Sequence, residues 1–296
     1  MATTTTTTKK DQPFQKILNF RDIALSTNPN SPNSTPLKPG LLYRSGIPDN
    51  ATPIDRLRLS QDYNLKTIID LRTDSEHVEQ ARKNAKKIST SPVTEPKDPA
   101  EALRIPGVRY EYISLNGHPY SSALIKQLSY WNTAKLFGLY VVGYRTEAIR
   151  ILGENVMAKR GLVGLAEDSL RHSKAEVKAV FDVLSEESNY PLLVHCTQGK
   201  DRTGLVVLLV LLLLGVEKEA IEVDYMASVK GLEAEREERL VQIRAIGLPD
   251  EFAGCAEGWV EEVSRCIEEE YGGIEKYLER CGVTREQQER IRKIFR

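Results

Sequence analysis

The sequence predicts an α/β domain in which helices flank a small central sheet, mostly parallel, and the C-terminal half is helical. Residues 191–196, PLLVHC, form the short, largely apolar run of a strand buried on both faces. A glycine-bearing loop follows at once, and an apolar helix pattern then covers 203–215. After Gly215 the spacing is helical almost throughout, with breaks at glycines. Strand, loop and buried helix in this order are typical of a phosphate site in α/β proteins.

Further strands are expected before this core, because apolar runs and alternating patterns are bounded there by turn residues. They are ILNFRDIAL (17–25), GLLYRSG (40–46), KTIIDLR (66–72) and VRYEYISL (108–115). Residues 26–39 are rich in Pro, Asn and Ser and should form a loop. The spacing of apolar residues predicts a helix over 53–64, and another is expected near 75–87.

The segment 120–160 has a helical pattern and an unusual density of aromatic residues. These are Tyr120, Tyr130, Trp131, Phe137, Tyr140 and Tyr144. One interpretation is that these helices cover the sheet and bury their aromatic side chains in the core. The next helix should begin at Ser173, where Glu176 three residues later predicts a capping box.

Composition places the chain among ordinary globular proteins. Of 296 residues, 41% are hydrophobic and 28% charged, and the net charge of −1 gives no general attraction to nucleic acid or membranes. The polar, low-complexity start predicts a disordered tail over 1–15, which leaves 16–296 as a single domain. The apolar run 205–214 would rise about 15 Å as a helix, too short to cross a bilayer, so no integral membrane segment is expected.

The four cysteines show no Cys-x-x-Cys spacing, which argues against a zinc site or a disulfide scaffold. The start of the chain also lacks the apolar core of a signal peptide. The thiols should therefore be free and the protein cytoplasmic.

The chemistry lies in residues 195–204, HCTQGKDRTG. Five residues separate Cys196 from Arg202, in a loop that leaves a strand and enters a helix. Such a loop can turn successive N–H groups inward, and the helix N-terminus adds its positive end, so the loop can hold a dianion. Arg202 can present a planar fork to two phosphate oxygens. Cys196 would lie beneath the anion, where the same dipoles favour its thiolate, a nucleophile.

This segment resembles the His-Cys-x5-Arg-Thr/Ser-Gly signature of the cysteine-dependent tyrosine and dual-specificity phosphatases and matches it at every fixed position. The Gly-Lys-Asp-Arg variant at 199–202 is similar to that of a microbial and fungal branch, which includes a secreted mycobacterial tyrosine and lipid phosphatase. Further likenesses span 17–290: Asn19-Phe20-Arg21-Asp22, Leu42-Tyr43-Arg44-Ser45-Gly46, Asp70-Leu71-Arg72 and Tyr271-Gly272-Gly273-Ile274. The resemblance implies the cysteine-phosphatase fold, and it offers a second interpretation of 120–160, as a helical lid over the pocket.

The resemblance implies phosphomonoester hydrolysis in two steps through a phosphocysteine, without metal or other cofactor. Cys196 would attack phosphorus, Thr203 would hydrogen-bond the departing thiolate, and His195 would orient the loop. Phosphate would be held by Thr197, Gln198, Gly199, Lys200, Asp201 and Arg202.

The usual acid loop is absent, because neither Trp131 nor Trp259 is followed by its Pro-Asp pair, so the general acid must come from another segment. Asp70 is the first candidate, since it ends a strand expected to neighbour the Cys196 strand. It could instead cap a turn or pair with Arg72 or Arg44. Asp201 is the second candidate, or else a structural member of an ion pair.

The expected substrate is a phosphorylated protein, most simply phosphotyrosine, with dual specificity possible in this superfamily. A phosphoinositide or inositol-polyphosphate phosphatase is the alternative, and a non-catalytic phosphate-binding module is a third hypothesis. Lys200 bears on this choice: it is either solvated or a second cation that selects highly charged substrates. No nucleic-acid partner is expected.

Overall fold

The computed structural model describes residues 12–80 and 104–296. Five strands form one sheet in the order β1-β2-β5-β3-β4. The strands are Arg21–Asp22 (β1), Leu42–Ser45 (β2), Thr67–Asp70 (β3), Arg109–Tyr112 (β4) and Leu192–His195 (β5). β1 is antiparallel to β2, and every other pairing is parallel. The predicted small, mostly parallel sheet is therefore confirmed, and the carboxyl ends of β2, β5 and β3 meet at one edge.

The two faces of the sheet are covered unequally. Leu192 and Val194 of β5 point into the large core, which most of the helices complete. Leu193 points to the other face, where a smaller cluster contains the N-terminal segment and the second helix. This alternation is that of a strand buried on both faces. The apolar residues of the predicted strand are therefore buried on both faces of the sheet, as expected.

The helices occupy most of the chain and confirm the helical C-terminal half. Before β5 they are Ile23–Thr27 (α1), Pro53–Gln61 (α2), a helix beginning at residue 74 and described to residue 80 (α3), His118–Ile125 (α4), Tyr130–Val142 (α5), Arg145–Leu152 (α6), Ala158–His172 (α7) and Lys174–Leu184 (α8). After β5 they are Asp201–Leu213 (α9), Lys218–Gly231 (α10), Arg236–Ala245 (α11), Trp259–Tyr271 (α12), Ile274–Cys281 (α13) and Arg285–Phe295 (α14).

The apolar helix α9 is buried along nearly its whole length, because other helices and β5 surround it. It has 13 residues. Across residues 12–80 and 104–296, no helix has the length and apolar character needed to cross a membrane.

Three local predictions are wrong. Of the segment 17–25, only β1 is a strand, because Asp22 accepts a hydrogen bond from Ala24 N and starts α1. Ser173 makes no capping hydrogen bond; its hydroxyl bonds to Asn116 instead. Within the predicted tail, residues 12–15 are tied down, since Phe14 packs against Phe20 and Tyr63. Residues 1–11 lie outside the described residues, as does the 81–87 part of the predicted helix.

The core interpretation of 120–160 is wrong for α5. Tyr120 of α4 is buried, but the other five aromatic side chains are exposed, with Trp131 at 76%. Leu136 is the one residue of α5 that is buried. A five-residue π-helical turn, Gly153–Met157, links α6 to α7.

Candidate active site

The residues from Cys196 to Arg202, here the signature loop, connect β5 to α9 at the carboxyl edge of the parallel strands. Cys196 follows the last residue of β5 and is buried. Asp201 is the first residue of α9, so Arg202 lies in its first turn, as expected. Open α/β sheets place their ligand sites at this edge.

The carbonyl groups of the signature loop are held from outside. Asn19 Nδ2 donates to Gln198 O at 3.1 Å and to Gly199 O at 3.0 Å. Arg44, near the carboxyl end of β2, donates to Gly199 O at 2.8 Å. Ile47 N donates to Thr197 O at 3.1 Å. Because these carbonyl groups point away from the loop, the N–H groups of the same peptide bonds, which point the opposite way, must face its interior.

The N–H groups of the loop are left without protein acceptors. From Thr197 to Arg202, six successive N–H groups donate no hydrogen bond to any residue within 12–80 or 104–296. Backbone donors are almost always paired in folded proteins. Six unpaired donors above a buried cysteine, at a helix N-terminus, therefore form an anion-binding cradle.

Gly199 is required by this geometry. Its φ is +66°, in the left-handed region, and a Cβ at this position would overlap the carbonyl oxygen of Ser45. β2 therefore approaches the loop so closely that only glycine fits.

A buried ion-pair network supports the loop from behind. Asp224 of α10 accepts a 2.5 Å hydrogen bond from Arg44 and a 2.8 Å one from Arg21. Burial would raise the pKa of Asp224, but Arg44 and Arg21 outweigh burial and lower it to about 2. The motifs around Asn19 and Arg44 thus hold the loop in place through hydrogen bonds to its carbonyl groups. The resemblance had marked them without a role, and no signal in the sequence pointed to Asp224.

Glu76 of α3 holds Arg202, and sequence reasoning missed this partner. Its two oxygens accept 2.6 Å hydrogen bonds from Nη1 and Nη2 of Arg202, and Oε1 also accepts one from Thr197 Oγ1 at 2.5 Å. Nε of Arg202 has no partner within the described ranges and can face an anion. Burial would raise the pKa of Glu76, but the hydrogen bonds and charge of Arg202 lower it to about 2.

Asp70 ends β3 beside His195, as the sequence predicted, but its side chain is committed elsewhere. It is buried and accepts hydrogen bonds from Arg72 Nε at 2.9 Å and Nη2 at 2.5 Å. Burial would raise the pKa of this carboxyl, but the neighbouring His195 ring and the hydrogen bonds and charge of Arg72 hold it below its usual range. Asp70 is absent from the walls of the cavity described below. The alternative of pairing with Arg72 is the one observed.

Asp201 is the candidate acid that the structure brings to the cavity. Its side chain is half exposed and lines the cavity. Its Oδ1 also lies 3.5 Å from Lys200 Nζ, so an ion pair, the alternative interpretation of Asp201, is present as well, with a lysine as the partner. Among the described residues, Glu76 is the other carboxylate of the walls, and both its oxygens are bound to Arg202.

Lys200 follows neither interpretation of the sequence. It is 1% exposed, and Nζ donates to Phe252 O at 2.8 Å and to Gly254 O at 2.5 Å. The side chain thus anchors the signature loop to the segment before α12, and only its backbone N–H faces the cradle. A lysine among charged residues predicts exposure, and only the tertiary fold provides these buried carbonyls.

The two remaining predicted residues are His195, which precedes Cys196 in the chain, and Thr203, which lies in the first turn of α9. Nδ1 of His195 lies 3.2 Å from Cys196 O, and Nε2 lies 3.6 Å from Asp70 Oδ2. Burial lowers the pKa of His195. Thr203 Oγ1 is buried and, within the described ranges, has no hydrogen-bond partner. His195 thus contacts the loop that it was expected to orient, while Thr203 makes no hydrogen bond to Cys196.

Cys196 and Arg202 open into a cavity of about 370 Å³. Apolar and aromatic side chains form most of its walls: Tyr120, Met157, Leu162, Leu165, Ala166, Leu205, Ile243, Leu248, Phe252 and Trp259. Trp259 is held by stacking on Tyr225 with the ring centroids 4.5 Å apart. Arg202 is the one basic residue of the walls within the described ranges. Those ranges also contain no cluster of His, Cys, Asp or Glu that could hold a metal ion.

A cysteine beneath a cradle of amides and one arginine, at the carboxyl edge of a parallel sheet, is the arrangement expected of a cysteine-dependent phosphatase. The chain belongs to the tyrosine phosphatase family, whose family model matches residues 12–296.

Among curated relatives, a tyrosine-protein phosphatase of Nostoc commune is 32% identical over 138 residues, 42% of this chain and 45% of the relative. The triple specificity protein phosphatase PtpB of Mycobacterium tuberculosis is 31% identical over 120 residues, 36% of this chain and 44% of the relative. The chain thus spans less than half the length of these two relatives. A Cupriavidus necator protein with a provisional tyrosine-protein phosphatase name is 24% identical over 277 residues, 91% of this chain and 83% of the relative.

Proposed function

We propose that the chain hydrolyses phosphomonoesters of tyrosine in proteins through a phosphocysteine intermediate. The observation that carries the proposal is the ring of six unpartnered N–H groups that, with Arg202, surrounds Cys196. Such donors can bind the equatorial oxygens of a phosphoryl group in transfer, and preorganised donors of this kind stabilise the charge of the transition state.

In the first step the thiolate of Cys196 attacks phosphorus, so an S–P bond forms while the P–O bond to the leaving group breaks. Asp201 gives its proton to the leaving oxygen. In the second step Asp201, now a carboxylate, takes a proton from water, whose oxygen bonds to phosphorus as the S–P bond breaks. Thr203, whose hydroxyl has no other partner within the described ranges, hydrogen-bonds the departing thiolate.

Asp201 replaces Asp70 as the proposed acid for a geometric reason. A general acid must reach the leaving oxygen directly or through one water. Asp201 lines the cavity, whereas Asp70 is buried against Arg72. Asp70 and His195 are then positioning residues beneath the loop.

The cavity favours an aryl phosphate. Its apolar walls, with Tyr120 and Trp259 among them, suit an aromatic ring. Inositol polyphosphates carry several phosphates and would need several cations, but Lys200 is turned away from the cavity. The same walls can accept other phosphoprotein side chains, so dual specificity remains part of the proposal.

We also propose that residues 16–296 act as one catalytic domain in the cytoplasm. The family match over 12–296 supports the first statement. All four cysteines are free, which is compatible with a reducing compartment.

The proposal is tested first by Cys196→Ser with para-nitrophenyl phosphate. We expect kcat to fall about 10⁴-fold or more, while phosphotyrosyl peptide still binds in calorimetry because the cradle remains. Undiminished turnover in this variant would refute the proposal. Binding without turnover by the unaltered chain would favour a non-catalytic phosphate-binding module.

The acid and the substrate class are tested separately. Asp201→Asn should lower kcat about 10²-fold or more for an alkyl phosphate and little for para-nitrophenyl phosphate, with Asp70→Asn as the comparison. Should Asp70→Asn show this leaving-group dependence instead, Asp70 is the acid. Turnover of phosphotyrosyl peptides, phosphoseryl peptides and phosphoinositides should rank in that order, and a phosphoinositide ranked first would overturn the substrate class.

A further inference from the structure

The helix α5 faces solvent with its apolar side. Tyr130, Ala134, Phe137 and Val141 follow one another at i, i+4, i+7 and i+11, the spacing of one helix face, and all are exposed. Val141 is 84% exposed and Tyr130 93%. The apolar face of an ordinary surface helix packs against the core, whereas that of α5 points to solvent.

The apolar surface extends beyond that row. Trp131 and Val142 lie beside it on α5, and Tyr144 and Ile149 continue it onto α6. A contiguous exposed surface of this kind marks a site of contact rather than scattered exposure. We call residues 130–152 the α5–α6 hairpin.

The charges around this surface are basic. α5 contains no Asp or Glu. Between residues 126 and 160 there are six Lys or Arg and two Glu. Within the described ranges, Lys135 and Arg145 form no salt bridge, and the Arg145 guanidinium instead lies 5.7 Å from the Tyr140 ring centroid. Tyr, Trp and aliphatic residues with flanking cations are the composition of helices that lie in the interface of an anionic bilayer.

A second copy of the chain fits the surface less well. A two-fold dimer would place the same patch against itself, so both sides of the interface would carry the same cations, Lys135 and Arg145, with no acid on α5 to offset them. Anionic lipid headgroups offset those cations while the acyl boundary takes the apolar side chains.

The α5–α6 hairpin is also continuous with the wall of the cavity. Its own core of Leu136, Ala148 and Ile151 packs against Leu128 and Leu152. These two leucines also pack against the cluster that contains Tyr120, which lines the cavity. Docking through the hairpin therefore sets the position of the cavity relative to the docked surface.

We propose that the α5–α6 hairpin docks the protein on anionic lipid bilayers, with Trp131, Phe137 and Val141 entering the headgroup region. If the proposed function also holds, the preferred substrates are phosphomonoesters on molecules held at that surface.

The test uses the full chain and vesicles of phosphatidylcholine with and without phosphatidylserine. Trp131 should report insertion directly, because Trp259, the other tryptophan, is buried. We expect a blue shift of tryptophan fluorescence and co-sedimentation with the anionic vesicles, and loss of the shift but not of binding in Trp131→Phe.

Val141→Glu should lower the vesicle partition coefficient by about tenfold or more. The matched control is Val241→Glu on α11, the same change at another exposed valine, which should leave partitioning unchanged. Equal effects of the two variants, or no binding by the unaltered chain, would overturn the proposal.

Two further outcomes would assign the surface to another occupant. A dimer in sedimentation velocity that Val141→Glu converts to monomer, without vesicle binding, would assign it to a second copy. A changed KM for para-nitrophenyl phosphate in Val141→Glu without vesicles would assign it to a lid over the chain's own cavity. The vesicle measurements need no turnover, so their failure and that of the proposed function are distinguishable.

Discussion

The signature loop and the α5–α6 hairpin use their side chains in opposite ways. Behind the loop, charged groups such as Arg44 and Asp224 are buried and paired, and the loop carbonyls from Thr197 to Gly199 have fixed partners. In the hairpin, apolar side chains such as Trp131 and Val141 are exposed. Neither pattern is what burial preferences predict for those residue types.

The difference shows where each region obtains its order. Asn19 and Arg44, from distant parts of the chain, hold the loop carbonyls, and Lys200 of the loop reaches a distant carbonyl group in turn. The shape of the loop therefore depends on the whole fold. The hairpin rests on a small core of its own, apart from the large core around α9. A disturbance behind the loop should therefore affect stability and chemistry together, while one on the outer face of the hairpin should affect neither.

The largest effect is expected from Asp224→Asn. The change leaves the buried Arg44 and the half-buried Arg21 with no compensating carboxylate, which should cost about 3–5 kcal/mol of unfolding free energy and much of the turnover. Urea denaturation and para-nitrophenyl phosphate hydrolysis measure the two losses. Asp250→Asn, which breaks an exposed pair with Arg244, is the control and should leave both nearly unchanged. Similar small losses in both variants would show that the buried network does not hold the loop.

A smaller effect is expected from Glu76→Gln, which removes the charge that holds Arg202. We expect a loss of about 1–3 kcal/mol and a fall in kcat/KM of about tenfold as Arg202 loses its fixed position. Asp74→Asn on the same helix, an exposed acid, is the control.

The Glu76 effect should depend on pH. Because the folded-state pKa of Glu76 is lowered from 4.5 to about 2, its contribution is complete above about pH 4.5 and disappears as the pH falls to about 2. The stability difference between wild type and Glu76→Gln, measured by denaturation across this range, should shrink accordingly. A difference that is constant from pH 7 to pH 2 would contradict the assigned ion pair.

The smallest effect is expected from Val142→Ser on the outer face of α5. With 70% of Val142 exposed, the unfolding free energy should change by less than about 0.5 kcal/mol and turnover of a soluble substrate should not change. Denaturation midpoints and initial rates check this. Leu136→Ala, which removes the buried side chain of the same helix, should cost about 2 kcal/mol or more. A comparable loss in Val142→Ser would mean that the outer face is already covered within the folded chain.

The sequence was most informative where the chemistry is local. Cys196, Gly199 and Arg202 act within one loop, and the helix that follows them is adjacent in the chain, so the spacing alone predicts a cradle for an anion. The strand β5 and the helix α9 were also predicted correctly, because a continuous apolar run indicates an element that is buried on all sides. The neighbourhood of β3 and β5 was also predicted, from the rule that parallel strands share a carboxyl edge.

Only the tertiary structure decided which partners the charged side chains have and which way the apolar faces of the helices point. The positions of Glu76, Asp224 and the carbonyls that bind Lys200 relative to the loop depend on how distant segments pack, and such pairings have no periodic signature. The outward face of α5 was misread because an apolar stripe shows the same period whether it meets a core or something outside the chain. Periodicity reports that a face is apolar, and only the fold shows what lies against it.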